Sequence, residues 1–127
     1  MTTFSGTDTI RPPATDREAL ARLERFGGVK LLHEMIALFL ENAPRRLSIA
    51  EGGLEHGDAS SVDEALHSLK SSSAQLGAPR LSALCERGES IAHRGSLEGI
   101  GQLLRDCRDE LGRVQEWLAT VRAERAS

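Results

Sequence analysis

The strongest constraint on the fold of this chain is an apolar stripe that runs from Val29 to Leu54 at steps of three and four residues. Such spacing matches the 3.6-residue period of an α-helix and differs from the two-residue alternation of a half-buried strand. The stripe keeps its phase across Pro44, whose ring removes one backbone hydrogen bond and favours a bend. The sequence therefore predicts one long, kinked amphipathic helix, and its inward face comprises Val29, Leu32, Ile36, Phe39, Ala43, Leu47, Ala50 and Leu54.

Four other segments have the same helical period and are bounded by capping or turn residues. Thr15 and Glu18 stand three apart as a capping box, which predicts a short helix that ends at Gly27 and Gly28. Asp58 offers an N-cap for the first helix after the long one. The three later helices are predicted to run from Asp58 to Gly77, from Pro79 to Gly95 and from Ser96 to about Val121.

The sequence contains no sustained strand alternation between turn residues, so the predicted class is all-α. Four substantial amphipathic helices with short links pack most simply as an antiparallel up-and-down four-helix bundle, with the short N-terminal helix capping one end. A chain of 127 residues has room for one such domain, and we expect a monomer. We expect a flexible N-terminal tail over residues 1–13, the bundle over 14–123 and a flexible C-terminal tail over 124–127.

Charge and hydropathy exclude several classes of function. The chain has 16 basic and 19 acidic residues, and its net charge of −3 leaves no cationic surplus for a nucleic-acid backbone. No apolar run approaches the roughly 20 residues that cross a bilayer, and no signal peptide is visible, so we expect a cytoplasmic protein without nucleic-acid or membrane partners. Cys85 and Cys107 fall at apolar positions, where buried free thiols are expected and a disulfide is the alternative.

The most informative polar residue is His67, which directly follows the inward Leu66 and therefore points away from the core. Lys70 stands one turn further on and is one of only two lysines in the chain. A neutral imidazole can act as a nucleophile, and a lysine at this spacing can neutralise a phosphoryl group placed on it. A solvated surface histidine beside a solvated lysine is the alternative that spacing alone leaves open.

The helix face around His67 carries small side chains. Ser71 and Ala74 lie one and two turns beyond the histidine on nearly the same side of the helix. Their small size lets a partner surface approach the imidazole closely.

The remaining acids and histidines near this segment have weaker signals. Asp63 and Glu64, one turn before His67, either orient its second ring nitrogen or simply favour the helix dipole. Three further histidines show no spacing typical of metal ligands, namely His33, His56 and His93. We expect these three histidines at surface or cap positions and predict no metal site.

The segment from His67 to Ala78, HSLKSSSAQLGA, resembles the phosphoacceptor helix of histidine-containing phosphotransfer (HPt) domains. Those domains carry a His-x-Leu-Lys-Gly/Ser-Ser pattern that ends in a Gly-Ala or similar stop. Residues 39–44, 57–58 and 84–89 are also similar to parts of that family. The resemblance covers roughly residues 13–121.

The resemblance implies a phosphorelay protein in which His67 accepts a phosphoryl group from the aspartate of one receiver domain and passes it to another receiver. The implied partners are receiver domains of response regulators or hybrid histidine kinases. The phosphoaspartate and its magnesium ion belong to the receiver, so the chain itself needs no cofactor. By the same likeness, Lys70 is expected to contact the phosphoryl group. The face of small side chains next to His67 predicts that Ser71, Ala74 and Gln75 also contact the phosphate or the partner.

Two residues depart from the family pattern. Ser71 stands where many relatives have glycine, which adds a hydroxyl beside the expected phosphoryl site. Gly88 stands where a leucine is usual, and we expect this to weaken a core layer by about 1.5 to 3 kcal/mol.

Two other classes of function are alternatives to the phosphorelay interpretation. A helical adaptor that binds and sequesters a receiver domain or kinase without being phosphorylated would share the fold and the docking face. An enzyme with its own active site would need a paired acid and base or a phosphate-binding loop, and the sequence shows neither. The adaptor is therefore the alternative, and the enzyme ranks last.

Overall fold

The computed structural model describes residues 13–126, and four α-helices account for most of that range. In chain order they are α1 (Arg17–Glu55), α2 (Ala59–Gln75), α3 (Pro79–His93) and α4 (Ile100–Ala126). Both α1 and α3 pack against α2 and α4. No strand occurs between residues 13 and 126, and the predicted all-α four-helix bundle is confirmed. Within that range, no helix combines the length and the apolar character that a membrane span requires.

α1 combines the short and the long helix that the sequence predicts. Gly28 separates them with the non-helical dihedrals φ 81° and ψ −179°, and a positive φ of this size favours glycine. The segment before this break meets the end of α4 at two points. Arg17 lies 3.8 Å from Glu124, and Arg125 lies 3.0 Å from Glu24. The short helix therefore lies across one end of the bundle, as predicted.

The N-caps of the first two helices are aspartates. The Asp16 carboxylate accepts a hydrogen bond from the Glu18 amide at 3.0 Å, so the expected capping role of Thr15 is wrong by one residue. Asp58 caps α2, as predicted, and accepts hydrogen bonds from the Ser61 amide at 3.1 Å and the Ser61 hydroxyl at 2.7 Å. These bonds from Ser61 lower the pKa of Asp58, because they favour its charged form.

The turn between α2 and α3 is held by the segment that precedes α1. The Asp16 amide donates to the Gly77 carbonyl at 2.8 Å, and the Arg80 amide donates to the Pro13 carbonyl at 3.1 Å. Gly77 has φ 79°, and a Cβ atom there would overlap the Asp16 carbonyl oxygen. Glycine at this turn therefore allows the two backbones to approach closely.

The ends of the described range differ from the expected tails. Pro13, placed in the N-terminal tail by the sequence analysis, hydrogen-bonds to the bundle. Residues 124–126, expected in the C-terminal tail, form the last residues of α4. Residues 1–12 and 127 lie outside the described part of the chain.

The core is built from the apolar stripes of all four helices. On α1 the stripe continues past Pro44 without a change of face, as predicted, but Val29 is 40% exposed and the buried stripe begins one turn later. Val29 directly follows the break at Gly28, where the helix changes direction, so the extrapolated phase does not apply to it. The buried members on α1 are Leu32, Ile36, Phe39, Ala43, Leu47 and Ala50.

Cys85 and Cys107 are buried free thiols that meet between α3 and α4. The hydrogen bond with Cys107 and the burial of the sulfur both raise the pKa of Cys85. The thiol is therefore the stable form, and these residues act as small core side chains.

Gly88 is buried in the core, where its lack of a side chain predicts a weakened layer. A Cβ atom built on Gly88 would lie 2.5 Å from Leu66 Cδ1 and 2.5 Å from Leu103 Cδ2. These two leucines already occupy the space that a side chain would need. The expectation that Gly88 weakens a core layer is therefore wrong.

Gly88→Leu should lower the free energy of unfolding by about 1 to 3 kcal/mol, because it overpacks a filled site. Gly112→Leu is the matched control, since a Cβ atom at Gly112 meets nothing within 4 Å. Urea denaturation of both variants measures the difference. A Gly88→Leu variant as stable as the parent protein would show that the core can accept the larger residue.

Candidate functional site

His67 lies on the outer face of α2 between two buried leucines. Leu66 and Leu69 are fully inaccessible to solvent, whereas the His67 side chain is 64% exposed. The two leucines fix the rotation of the helix about its axis. The imidazole therefore has a defined outward direction, as predicted.

The orientation of the ring is set by Glu89 on α3. The distance from His67 Nδ1 to Glu89 Oε2 is 2.6 Å, and the Glu89 side chain is only 18% exposed. An ionised carboxylate can only accept hydrogen bonds, so Nδ1 carries the proton and donates it to Glu89. In the neutral imidazole this leaves an unshared electron pair on Nε2.

Lys70 holds the other oxygen of the same carboxylate. Lys70 Nζ lies 2.8 Å from Glu89 Oε1, and the Ser82 hydroxyl donates to the Lys70 carbonyl at 3.0 Å. The hydrogen bond with Glu89 raises the pKa of Lys70. Burial raises the pKa of Glu89, but the hydrogen bonds from Lys70 and His67 outweigh it, so this pKa lies below its ordinary value. Glu89 thus bridges two residues of α2 in its charged form.

Glu89 is the site residue that sequence reasoning missed. Of the two expected orienting acids, Asp63 pairs instead with His93, at 3.0 Å between Oδ2 and Nδ1, and Glu64 lines the same depression. The interpretation that Asp63 orients His67 is therefore wrong. The two residues of each pair are equally far along the chain from residue 78, which lies at the turn between α2 and α3. In an antiparallel helix pair that turns at residue 78, the residue opposite His67 is therefore Glu89, and this register is the signal that could have predicted it.

The small residues beyond His67 lie on the surface, as expected. Ser71, Ala74 and Gln75 are exposed on α2 and line a shallow depression whose other wall is the N-terminal part of α1. The α1 residues on that wall are Ala19, Arg22 and Leu23. The surface that follows His67 along α2 is therefore a depression that is open to solvent.

The other three histidines each have different surroundings. His56 Nδ1 lies 2.8 Å from the Gly52 carbonyl oxygen at the end of α1, which is the cap position expected for it. His33 is half-buried, with a buried Nε2 atom that has no hydrogen-bond partner. His93 is exposed and bonded to a carboxylate. Among residues 13–126, no three potential metal ligands come together.

Replacing Glu89 should remove the hydrogen bond that joins His67 to α3 and lower the free energy of unfolding by an amount that depends on pH. Because its pKa is lowered by folding, the carboxylate contributes stability above its ordinary value of 4.5 and loses it as the pH falls through the folded value. Glu89→Gln should therefore cost about 1 kcal/mol at pH 7, the usual net value of one hydrogen bond, and less at pH 3. Chemical denaturation at several pH values measures this difference.

Glu116→Gln, at an exposed position on α4, is the control for the change of net charge. A difference between Glu89→Gln and the parent protein that stays constant from pH 7 to pH 3 would contradict the ionised bridge.

Comparison with known proteins agrees with this geometry. The family model described as the Hpt domain matches residues 34–117. The crystal structure of histidine-containing phosphotransfer protein B from Pseudomonas aeruginosa PAO1 superimposes with a TM-score of 0.84 and 26% sequence identity. This match covers 88% of the present chain and 96% of the other. No curated protein sequence matches the chain.

The Hpt match includes α2 and α3 and therefore the whole His67–Glu89–Lys70 cluster. It extends over more than half of the sequence, and the structural match extends the likeness to most of the bundle. Proteins of this family carry phosphoryl groups in two-component phosphorelays and are not classical enzymes. The chain belongs to the Hpt domain family.

Proposed function

We propose that the chain is a phosphorelay intermediate in which His67 Nε2 accepts a phosphoryl group from a receiver-domain aspartate and passes it to a second receiver. The hydrogen bond between His67 Nδ1 and Glu89 carries this proposal. It fixes the tautomer in which Nε2 is nucleophilic, on a side chain that is 64% exposed to an approaching partner.

The transfer step conserves charge and protons without an acid or base from outside. The Nε2 electron pair of His67 forms a bond to phosphorus, and the bond between phosphorus and the receiver's aspartate oxygen breaks, which regenerates a carboxylate. A magnesium ion held by the receiver would supply charge neutralisation for the phosphoryl oxygens, and this chain would itself need no cofactor. The ring becomes more positive as the new bond forms, and the adjacent Glu89 carboxylate stabilises that charge.

Lys70 is proposed to act on the phosphoryl group as well as on Glu89. Its ammonium lies one helical turn from His67 and has three donors, of which the Glu89 oxygen at 2.8 Å takes one. The two that remain can bond to phosphoryl oxygens. Its bond to Glu89 also limits the conformations of the side chain, which reduces the entropy lost when phosphate binds.

Receiver docking is proposed on the exposed α2 face formed by Ser71, Ala74 and Gln75. These residues continue the side of the helix on which His67 lies, and they line an open depression. A receiver must bring its aspartate to bonding distance of the imidazole, so side chains on this face must be short.

His67→Gln should reduce phosphoryl uptake from a phosphorylated receiver to background, while the thermal midpoint stays close to that of the parent protein. Glutamine keeps the size and polarity but has no nucleophilic ring nitrogen. Intact mass spectrometry in alkaline solution, where phosphohistidine survives, measures the uptake. His56→Gln is the matched control and should take up phosphate at the parental rate.

A parent protein that binds the receiver but never gains a phosphoryl group would overturn the relay and favour the adaptor. Uptake in His67→Gln equal to that of the parent would place the acceptor elsewhere.

Ala74→Arg should weaken receiver binding about tenfold or more, equivalent to roughly 1.4 kcal/mol, because the long side chain fills the docking face. Stability should change by no more than about 0.5 kcal/mol, since Ala74 is exposed. Ala119→Arg on the exposed face of α4 is the control for the added charge. Equal receiver affinity of the two variants, measured by calorimetry, would move the docking surface away from Ala74.

A further inference from the structure

A second histidine–carboxylate pair lies beside the His67–Glu89 pair. His93 Nδ1 on α3 is 3.0 Å from Asp63 Oδ2 on α2, and the side chain of His93 is 80% exposed. In the first pair α2 supplies the imidazole and α3 the carboxylate, whereas in the second pair α2 supplies the carboxylate and α3 the imidazole. On each helix the imidazole and the carboxylate are four residues apart. All four residues line one depression.

The Asp63 carboxylate imposes on His93 the tautomer that Glu89 imposes on His67. An ionised carboxylate accepts the Nδ1 proton, and the electron pair of the neutral ring is left on Nε2. The Asp63 side chain is 24% exposed, so the ring is anchored on its inner side and open on its outer side.

Cationic and hydroxyl groups also lie near His93. A second depression on the same surface contains His93 together with Lys70, Ser90 and Arg94. Lys70 and Arg94 supply positive charge for phosphoryl oxygens, and the Ser90 hydroxyl supplies a hydrogen-bond donor. Acidic residues also border His93 in these two depressions, namely Asp63, Glu64, Glu86 and Glu89.

We propose that His93 Nε2 is a second phosphoryl acceptor, which takes the group from a donor of the phosphoramidate class. The inference extends to His93 the chemistry proposed for His67. The Nε2 electron pair forms the new bond to phosphorus, and the donor's nitrogen–phosphorus bond breaks. Phosphoramidate itself reacts with its nitrogen already protonated, so the nitrogen–phosphorus bond breaks to release ammonia. The imidazole keeps its proton on Nδ1, where it donates a hydrogen bond to Asp63.

The other exposed histidine provides an internal control for this proposal. His56 Nδ1 bonds to the Gly52 carbonyl, so its Nε2 is also left free, but a neutral carbonyl replaces the carboxylate. If the carboxylate and the flanking cations create the acceptor, His93 should be labelled faster than His56. Simple exposure would label both at the same rate.

The test incubates the parent protein with phosphoramidate and locates phosphohistidine by mass spectrometry without acid. We expect two phosphoryl groups on the parent, at His67 and His93, and one on each of His67→Gln and His93→Gln. Asp63→Asn should slow the labelling of His93 about tenfold and leave the labelling of His67 unchanged. An asparagine amide can donate to Nδ1 as well as accept from it, so it no longer fixes the tautomer of His93. Circular dichroism verifies that each variant is folded.

The outcomes separate the two proposals. Labelling of His67 alone, labelling of His56 as fast as His93, or an unchanged rate in Asp63→Asn would overturn the role of His93 and leave that of His67 intact. Labelling of His93 alone would remove His67 as the acceptor and keep the second site. A parent protein that takes up no phosphoryl group from this donor would overturn the His93 proposal, while transfer from a receiver tests His67 independently.

Discussion

The antiparallel register between α2 and α3 is the constraint on which the rest of the site depends. It places Glu89 opposite His67 and Asp63 opposite His93, with both pairs centred on the turn at residue 78. A shift of one residue in either helix would rotate a carboxylate away from its ring by about 100°. The backbone hydrogen bond from the Asp16 amide to the Gly77 carbonyl stabilises this turn, so the segment before α1 helps to fix the register.

The packing of the core and the geometry of the site are connected through neighbouring residues. Leu66 precedes His67 on α2, and Gly88 precedes Glu89 on α3. Because Gly88 has no side chain, Leu66 can pack against the α3 backbone, and the two helices approach closely at the level of the site. The 2.6 Å hydrogen bond between His67 and Glu89 joins the same two helices one residue further along each. Gly88, which stands where the family resemblance implies a leucine, thus belongs to the close contact between the two helices that carry the site.

The helices, their order and the outward direction of His67 could be predicted from the sequence, because each depends on residues within a few turns of one another. The partner of His67 could not be predicted from such local patterns, since Glu89 lies 22 residues away and its contact depends on the register of two packed helices. Periodicity wrongly placed Val29 in the buried stripe, because the helix changes direction at Gly28. The effect of Gly88 on the core could not be predicted either, because a local pattern does not show that Leu66 and Leu103 fill the space beside it.

The proposed phosphoryl transfer at His67 depends on Glu89, which keeps the proton of the ring on Nδ1 and leaves Nε2 as the nucleophile. Long-range proton–nitrogen correlation NMR on the full chain at neutral pH reports directly which ring nitrogen is protonated. We expect a protonated Nδ1 and an unprotonated Nε2 for His67, and a shift toward a mixture of tautomers in Glu89→Gln. A His67 ring with its proton mainly on Nε2 in the parent protein would show that Glu89 does not set the tautomer.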